Sequence, residues 1–560
     1  MAQKITLKGV QHIHRIHASY WNDSKRREEM ANYRAVYCHR YWDNKSQSDG
    51  LKIETSAAHR MIEGLISAVF SRNPAVKGKQ GIRNKGNVEL SQSVVNYWLA
   101  THAREILEQG SRLGFIFPNA GFKLYPRSMD DEVWDRVALI ALAPWELVVD
   151  QEAPSWKESR YTGHTYWLPL AQAQEKFPKA SSGWCPAQLE AYFDREAWES
   201  AVDEEDFQEG SDDPLLSGYV QILEVYYDDE VLYFSPQYDK GDSLISRGPN
   251  PIRNHAGKST CPVVPLYYGS MPEEPLKGYS TIRRAYDQFV EMNEGRTYQA
   301  RAVRKAARMW IANKSKINGS AIDALEMGRD GTVISVEDTD DVRKLIAPVP
   351  HTSVPTEVHN YLSMVQADID QGTGTAAFVR GEATKATATE VTALAAYTSS
   401  EIGHYARIRD AAIEQISKVW LDMLSIYLKE KSEGAADIIT LDGQALVVRP
   451  EDLSGDFLLF AQESGAAPMA RAAKKQEFLE LLPVLKDLGF STDSIRDALI
   501  PLFDLPEGLS AAAPVAPVAP DEAATIATVG ADGTPEELLN PGQLPDQIEN
   551  VLPGSANFAR

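Results

Sequence analysis

The chain has 560 residues, 43% of them hydrophobic and 24% charged, with a net charge of −22; it is long enough for several domains and ordinary in composition for a globular protein. That acidity argues against a protein that grips nucleic acid over its whole surface, which would more often be basic. It leaves room for a local basic patch, or for DNA sliding past a wall that does not hold it. No run of about 18 apolar residues occurs to cross a membrane, and the N-terminal "MAQKITLKGVQHIHRIH" lacks the apolar centre of a secretory signal.

The three cysteines, Cys38, Cys185 and Cys261, are far apart and without CxxC spacing. This argues against a disulfide framework and a structural zinc site, and predicts a reducing, cytosolic compartment.

In chain order, residues 20–47 predict helix with loops. Residues 59–74 predict an amphipathic helix with Met61, Ile62, Leu65, Ile66, Val69 and Phe70 on one face and Pro74 after its end. A second helix is expected over 88–114, ended by Gly110 and Gly114, with "FIF" opening a strand. The period then changes to two: 136–150, 160–170 and 219–236 predict strands, the last a hairpin turning at Asp228, Asp229 and Glu230. Residues 261–270 predict a buried strand, and the acidic 203–214 a solvated loop.

Helices return with a long run over 279–313, followed by strands at 331–336 and 342–348. Residues 353–372 predict a helix with Pro355 in its first turn, Gly372 just past its end, and a stripe of Val358, Leu362, Val365 and Ile369. Then comes a small, Thr-rich loop, "GTGTAAFVRGEATKATATEV", at 372–391. Thr387 and Glu390 form a capping box that starts a helix running to about Lys431, roughly 60 Å long. It lacks internal proline, Gly403 is its one soft point, and Ile402, Tyr405, Ala412, Ile416, Val419, Met423 and Tyr427 track one face. Strands are expected at 437–448 and 455–462, and helices at 471–489 and 492–503. The Pro/Ala-rich remainder, 506–560, holds eight acidic residues and one basic, Arg560, and predicts an extended or disordered tail.

Few motifs carry chemistry. "GKS" at 257–259 has Ile252 where a phosphate loop needs glycine, and Cys261 and Pro262 where it needs a helix, so it reads as a turn before a strand. "GTG" at 372–374 lacks the third glycine and the preceding strand of a dinucleotide fingerprint. His12, His14 and His17 lack a carboxylate or thiol partner at ligand spacing and read as a hydrated, frayed terminus. Arg301, Arg304, Lys305 and Arg308, with Arg296 upstream, share one helix face. That stripe fits a solvated face, a phosphate-facing wall, or ion pairs with Glu357, Asp368 and Asp370. No GxSxG, HExxH or His/Cys constellation is present, so no enzymatic activity, cofactor or metal is expected.

The order of elements, helix 279–313, a strand-bearing insert, helix 353–371, a loop and a long helix, resembles the portal (head–tail connector) proteins of tailed double-stranded DNA bacteriophages. So do the phrases "CPVVPLYYGS", "GYSTIRRAYDQFVEMNEGR" and "GEATKATATEVTALAAYTSSEIGHYARIRD". The resemblance covers roughly 50–505 and implies a multidomain α+β portal fold. It implies a wing of mixed α/β structure in 1–280, stem helix one at 281–313, a small β-containing clip at 314–350 and stem helix two at 354–371. A tunnel loop would follow at 373–386, then the long wing helix and wing strands at 387–465, and a helical crown at 469–505. The tail departs from members whose crown extends into a helical barrel.

The resemblance also implies a ring, usually dodecameric, through which double-stranded DNA is packaged and ejected. The clip would dock the terminase large subunit and later tail adaptor proteins, here through Lys314, Lys316, Arg329, Asp338, Asp340, Asp341 and Arg343. The tunnel loop would present Thr375, Phe378, Val379, Arg380, Glu382, Thr384 and Lys385 to DNA, and the basic stem stripe would be a subunit seam or a DNA contact. Major capsid and scaffolding proteins complete the implied partners, and the implied location is the virion's portal vertex, reached from the host cytoplasm, with no membrane partner. The alternatives are another virion structural protein, or a DNA-processing enzyme such as a packaging ATPase or nuclease.

Overall fold

In a computed structural model the chain divides into two units, Met1–Gln476 and Glu477–Arg560. The structure describes residues 5–43, 51–71, 73–80, 87–127, 135–180, 182–187, 218–240, 243–254, 256–270, 276–308, 310–312, 346–348, 356–373, 388–432, 437–441, 444–453, 455 and 457–461, all in the first unit. The expected acidic loop at 203–214, the strand at 331–336, the helices at 471–489 and 492–503, and the tail at 506–560 lie outside the described residues. What is described is a mixed α+β protein of many elements.

Helices α1 (Leu7–Trp21), α2 (Ser24–Tyr37) and α3 (Ala57–Val69) open the chain. Thr6 and Asp23 cap the first two through their side chains, accepting from the amides of Gly9 and Arg26. The apolar face expected in 59–74 is buried throughout. The N-terminus, expected to fray, is instead a helix whose buried face of Val10, Ile13, His17 and Trp21 gives it a reason to fold. Val10 and Ile13 join a core cluster with Val148, Leu223, Val225 and Leu232.

Strand β1 (Val76–Gln80) precedes α4 (Val88–Trp98), a wider turn at Leu99–Ala103, and α5 (Arg104–Ile116). Gly110 and Gly114 do not end the helix. A Cβ on Gly110 would meet Phe122 Cε1 at 2.2 Å, and one on Gly114 would meet Tyr268 Cδ2 at 3.1 Å. Both glycines admit an aromatic ring against the helix, and "FIF" belongs to its end rather than to a strand.

Two antiparallel sheets follow. Strands β2 (Ala120–Pro126), β3 (Val137–Leu142) and β9 (Val263–Leu266) form the smaller, in the order β3-β2-β9. The larger runs β4 (Leu147–Val149), β5 (Tyr161–Pro169), β6 (Tyr219–Tyr227), β7 (Glu230–Phe234), β8 (Leu244–Pro249). A short α6 (Leu170–Lys176) follows β5. The β6–β7 hairpin turns at Asp228 and Asp229, with Asp228 at φ 53° and Glu230 already paired to Tyr227. The β9 strand is buried, as its apolar run predicts: Val263, Val264 and Leu266 are at most 1% exposed.

A 3₁₀ turn at Ile282–Ala285 leads into α7 (Tyr286–Arg308), which is shorter than the predicted run. The last residues of that run instead form β10 (Trp310–Ala312), paired with β11 (Ile346–Pro348). Then come α8 (Thr356–Thr373) and α9 (Ala388–Ser432). Gly372 lies inside α8 rather than after it, and α9 begins one residue past Thr387. Beyond them lie the β12 (Asp437–Leu441) and β13 (Gln444–Val448) hairpin, α10 (Pro450–Leu453), and β14 (Phe457–Ala461), which pairs with β1. The largest core cluster joins α2, α3, α4, α5, the smaller sheet, α7, α8 and α9. Within it Trp98 stacks on Trp420 at 4.6 Å, and the Trp420 indole donates to the Val137 carbonyl at 3.3 Å.

Candidate functional site: the helix pair and its surroundings

The helix pair α7–α8 is antiparallel: Gly295 lies against Leu362, and the Gln299 amide reaches His359 Nδ1 at 2.9 Å, one turn later on α7 and one turn earlier on α8. A Cβ on Gly295 would meet Leu362 Cδ2 at 2.7 Å, so the glycine sets how closely the helices approach. The predicted stripe on α8 faces inward: Leu362, Val365 and Ile369 are buried in the core shared with Ile282, Ala285, Phe289 and Met292, and Val358 packs at its margin.

The outer faces carry apolar side chains as well. Six large hydrophobic residues are exposed among the described residues, and four are here: Tyr298 and Val303 on α7, Tyr361 and Met364 on α8. Their signal was in the sequence: Tyr361 and Met364 are spaced i, i+3 off the Val358–Ile369 stripe, so α8 is apolar on more than one side.

The structure divides the basic stripe. Arg296 is exposed and donates to Gln299 Oε1 at 2.9 Å. Arg301 is half-buried and donates through Nε to the Leu51 carbonyl at 2.9 Å. It therefore binds the chain's own backbone, not the solvated face, phosphate wall or acid pairing that its spacing allowed. Thr297 and Asn293 grip the same segment, bonding Ile53 and Thr55. The side chains of Arg304, Lys305 and Arg308 lie outside the described residues. So do all of Thr375, Phe378, Val379, Arg380, Glu382, Thr384 and Lys385 of the loop, and Lys314, Lys316, Arg329, Asp338, Asp340, Asp341 and Arg343 of the insert.

From Ile402 onward α9 is embedded in the body. The predicted face is buried except for the half-buried Tyr427, and so are Ile413, Trp420, Leu421, Leu424 and Leu428 around it. Arg409, 3% exposed, pairs with Asp410, donates to the Val69 carbonyl and lies over the Phe70 ring at 5.4 Å.

Where α9 passes the larger sheet, a cleft of about 490 Å³ opens, lined among others by Trp156, Arg160, Tyr226, Lys258, Lys418 and Asp422. Asp422 Oδ2 is buried without a hydrogen-bond donor. Burial pushes its carboxyl up to about 7, with Lys418 pulling the other way. The "GKS" turn forms part of the rim, but the amides of Gly257 and Lys258 are engaged within the turn. Gly257 N–H donates to the Asn254 carbonyl at 2.8 Å and Lys258 N–H to Asn254 Oδ1 at 2.9 Å, with Gly257 at φ +75°. With those donors occupied and a strand following, the segment is a turn and does not cradle a phosphate.

Between the two sheets lies a buried polar network. Lys123 Nζ on β2 pairs with Glu224 Oε2 on β6 at 2.9 Å, both under a tenth exposed, and lies 3.3 Å from His164 Nδ1 on β5. Tyr226 donates to Glu224 Oε1, Tyr166 to Glu224 Oε2 at 3.2 Å, and Lys176 to the Tyr166 hydroxyl at 2.8 Å. Burial raises the Glu224 carboxyl, but Lys123, Lys176 and the hydrogen bonds outweigh it and hold it below the usual range. Burial, then the two lysines, keeps His164 neutral, well below its ordinary value. The buried members are bonded to one another, and the exposed Lys176 reaches them from the edge through Tyr166. The sequence carried no sign of the network, because its members come together only where β2 of the smaller sheet meets the paired β5 and β6 of the larger.

The N-terminal histidines do not converge on a metal. His12 is exposed, while burial and then His14 lower the His17 pKa to about 3. Among the described residues, no group of three or more His, Cys, Asp or Glu could hold a metal ion, and no helix is long and apolar enough to cross a membrane. No protein-family model matches the chain, and no curated protein matches it significantly.

Proposed function

We propose that the chain is one subunit of a ring that conducts double-stranded DNA: the portal of a tailed bacteriophage, at one vertex of the virion. The observation that carries the reading is the α7–α8 pair, an antiparallel hairpin of helices with Tyr298, Val303, Tyr361 and Met364 exposed on its outer faces. A monomer rarely leaves such side chains together in water, and neighbouring copies would cover them. The elements around the pair fit the same reading: a strand-bearing insert joins α7 to α8, and a helix of 45 residues follows the loop after α8.

In this reading α7 and α8 are the stem, 314–350 the clip that docks the terminase large subunit and then tail adaptors, and 373–386 the loop that lines the channel. The crown is 469–505, and capsid and scaffolding proteins surround the wing. The acidic surface suits a conduit, because tight phosphate binding would stall moving DNA.

Negative-stain imaging and native mass spectrometry of the purified chain test the proposal. A closed ring with a central hole, of about twelve copies, is expected; a monomer under all assembly conditions overturns it. Metal-dependent hydrolysis of ATP or DNA by the pure protein, abolished by Lys258→Ala, would favour a processing enzyme instead, and many copies over the whole particle a shell protein.

A further inference from the structure

Among the described residues, the two exposed large apolar side chains that the helix pair does not account for are Leu458, 50% exposed, and Phe460, 43% exposed, both on β14. In the β1–β14 register Lys77 is opposite Phe460 and Lys79 opposite Leu458, so all four side chains share one face. Lys77 and Lys79 are exposed, and the Lys79 ammonium lies 5.3 Å from the Phe460 ring centre.

The opposite face is fully engaged. Val76 is buried, and Leu459 nearly so. A Cβ on Gly78 would meet Val88 at 2.5 Å, and the amides of Gly78 and Ala461 donate to Gln92 and Glu414 at 2.8 Å each. Contacts to α4 and α9 thus fix the orientation of the sheet, and Leu458 and Phe460 cannot turn inward without breaking them.

A rigid two-stranded sheet that shows apolar side chains beside lysines invites a cover. The cover must bring apolar contact and negative charge. A second copy of this chain meets the charge requirement: it has 79 acidic against 57 basic residues, whereas 76–87 contains no acidic residue at all. A nucleic acid would meet the lysines but leave Leu458 unpartnered.

We infer that the outer face of the β1–β14 sheet docks against an acidic surface of an adjacent copy, making a subunit contact separate from the α7–α8 pair. The inference rests on the ring reading. This contact has an ionic component and weakens with salt.

The test compares the wild type with Leu458→Ser/Phe460→Ser, Lys77→Glu/Lys79→Glu and Tyr361→Ser/Met364→Ser, by native mass spectrometry and sedimentation over a range of protein and salt concentrations. Both sheet variants keep the wild-type circular dichroism, since the changed side chains are exposed. Both raise the protein concentration needed for half-assembly by at least about tenfold, and the charge variant also loses most of the salt dependence. Sheet variants that assemble like the wild type, while the helix variant does not, overturn this inference alone. A wild type that forms no ring overturns the ring reading and this contact with it. Normal rings from sheet variants that have lost DNA binding would assign the face to nucleic acid and also overturn the inference.

Discussion

The two-sheet body and the α7–α8 helix pair treat polarity in opposite ways. In the body, charged groups lie inside: Lys123 and Glu224 are almost fully buried, and each finds its partners within the chain. In the helix pair, apolar groups lie outside: among the described residues, Tyr298 is 64% and Met364 56% exposed. A buried ion pair is tolerated only where its hydrogen bonds are complete, so the body closes on itself as a single chain. The helix pair buries one side of each helix and leaves apolar side chains exposed on the other, the face that neighbouring copies would cover in the proposed ring.

The sharpest way to break this comparison is to remove one partner from the body. Lys123→Met or Glu224→Leu alone is expected to cost about 3–5 kcal/mol in urea unfolding, since each strands a buried charge, and the double variant to cost much less than their sum. Singles costing under about 1 kcal/mol would mean that water reaches the network and the body is not closed. Because Glu224 has a depressed pKa, its contribution is complete above the unfolded value of about 4.3 and is lost as pH falls through the folded value.

A smaller effect is expected at the cleft, where the body fails to close. The Asp422 carboxyl stays protonated in the folded chain up to about 7. The unfolded chain releases that proton near pH 3.9, so stability falls between about pH 4 and 7 and does not recover above. Asp422→Asn should therefore leave stability unchanged at pH 4 and raise it by about 2 kcal/mol at pH 8, a figure discounted for the cleft's access to water. A gain independent of pH would show that the carboxyl is already ionised and paired.

The smallest monomer effect belongs to the helix pair. Tyr361→Ser with Met364→Ser should change the unfolding free energy of the isolated chain by no more than about 0.5 kcal/mol, measured below the concentration at which copies associate. A loss near 2 kcal/mol would mean that these side chains support the single chain, and the contrast with the body would disappear.

Much of this organisation was legible in the residues. The period-3.6 stripes on α3, α8 and α9 face the core as expected, because an apolar stripe on a helix has one way to leave water. The hairpin at Asp228 and Asp229 was legible too, since the turn residues interrupt two alternating runs. The glycines misled: Gly110, Gly114 and Gly372 look like helix stops in one dimension, yet all three lie within helices. The candidate site was legible as an order of elements around α7, α8 and α9, and less so as residues. Spacing put Arg301 on one face with Arg304, Lys305 and Arg308, and a segment more than two hundred residues away took Arg301 for its own backbone.

What the sequence determined by itself is therefore local and periodic: where helices and strands run, which face of each is apolar, and that the chain is strongly acidic. These follow from side-chain chemistry repeated along one element. Only the tertiary structure decided which polar groups are buried together, which glycines admit a ring, and which apolar faces remain uncovered. Each of those depends on what a distant segment brings to the same place: Phe122 to Gly110, Glu224 to Lys123, and, among the described residues, no cover that buries Tyr361 or Met364.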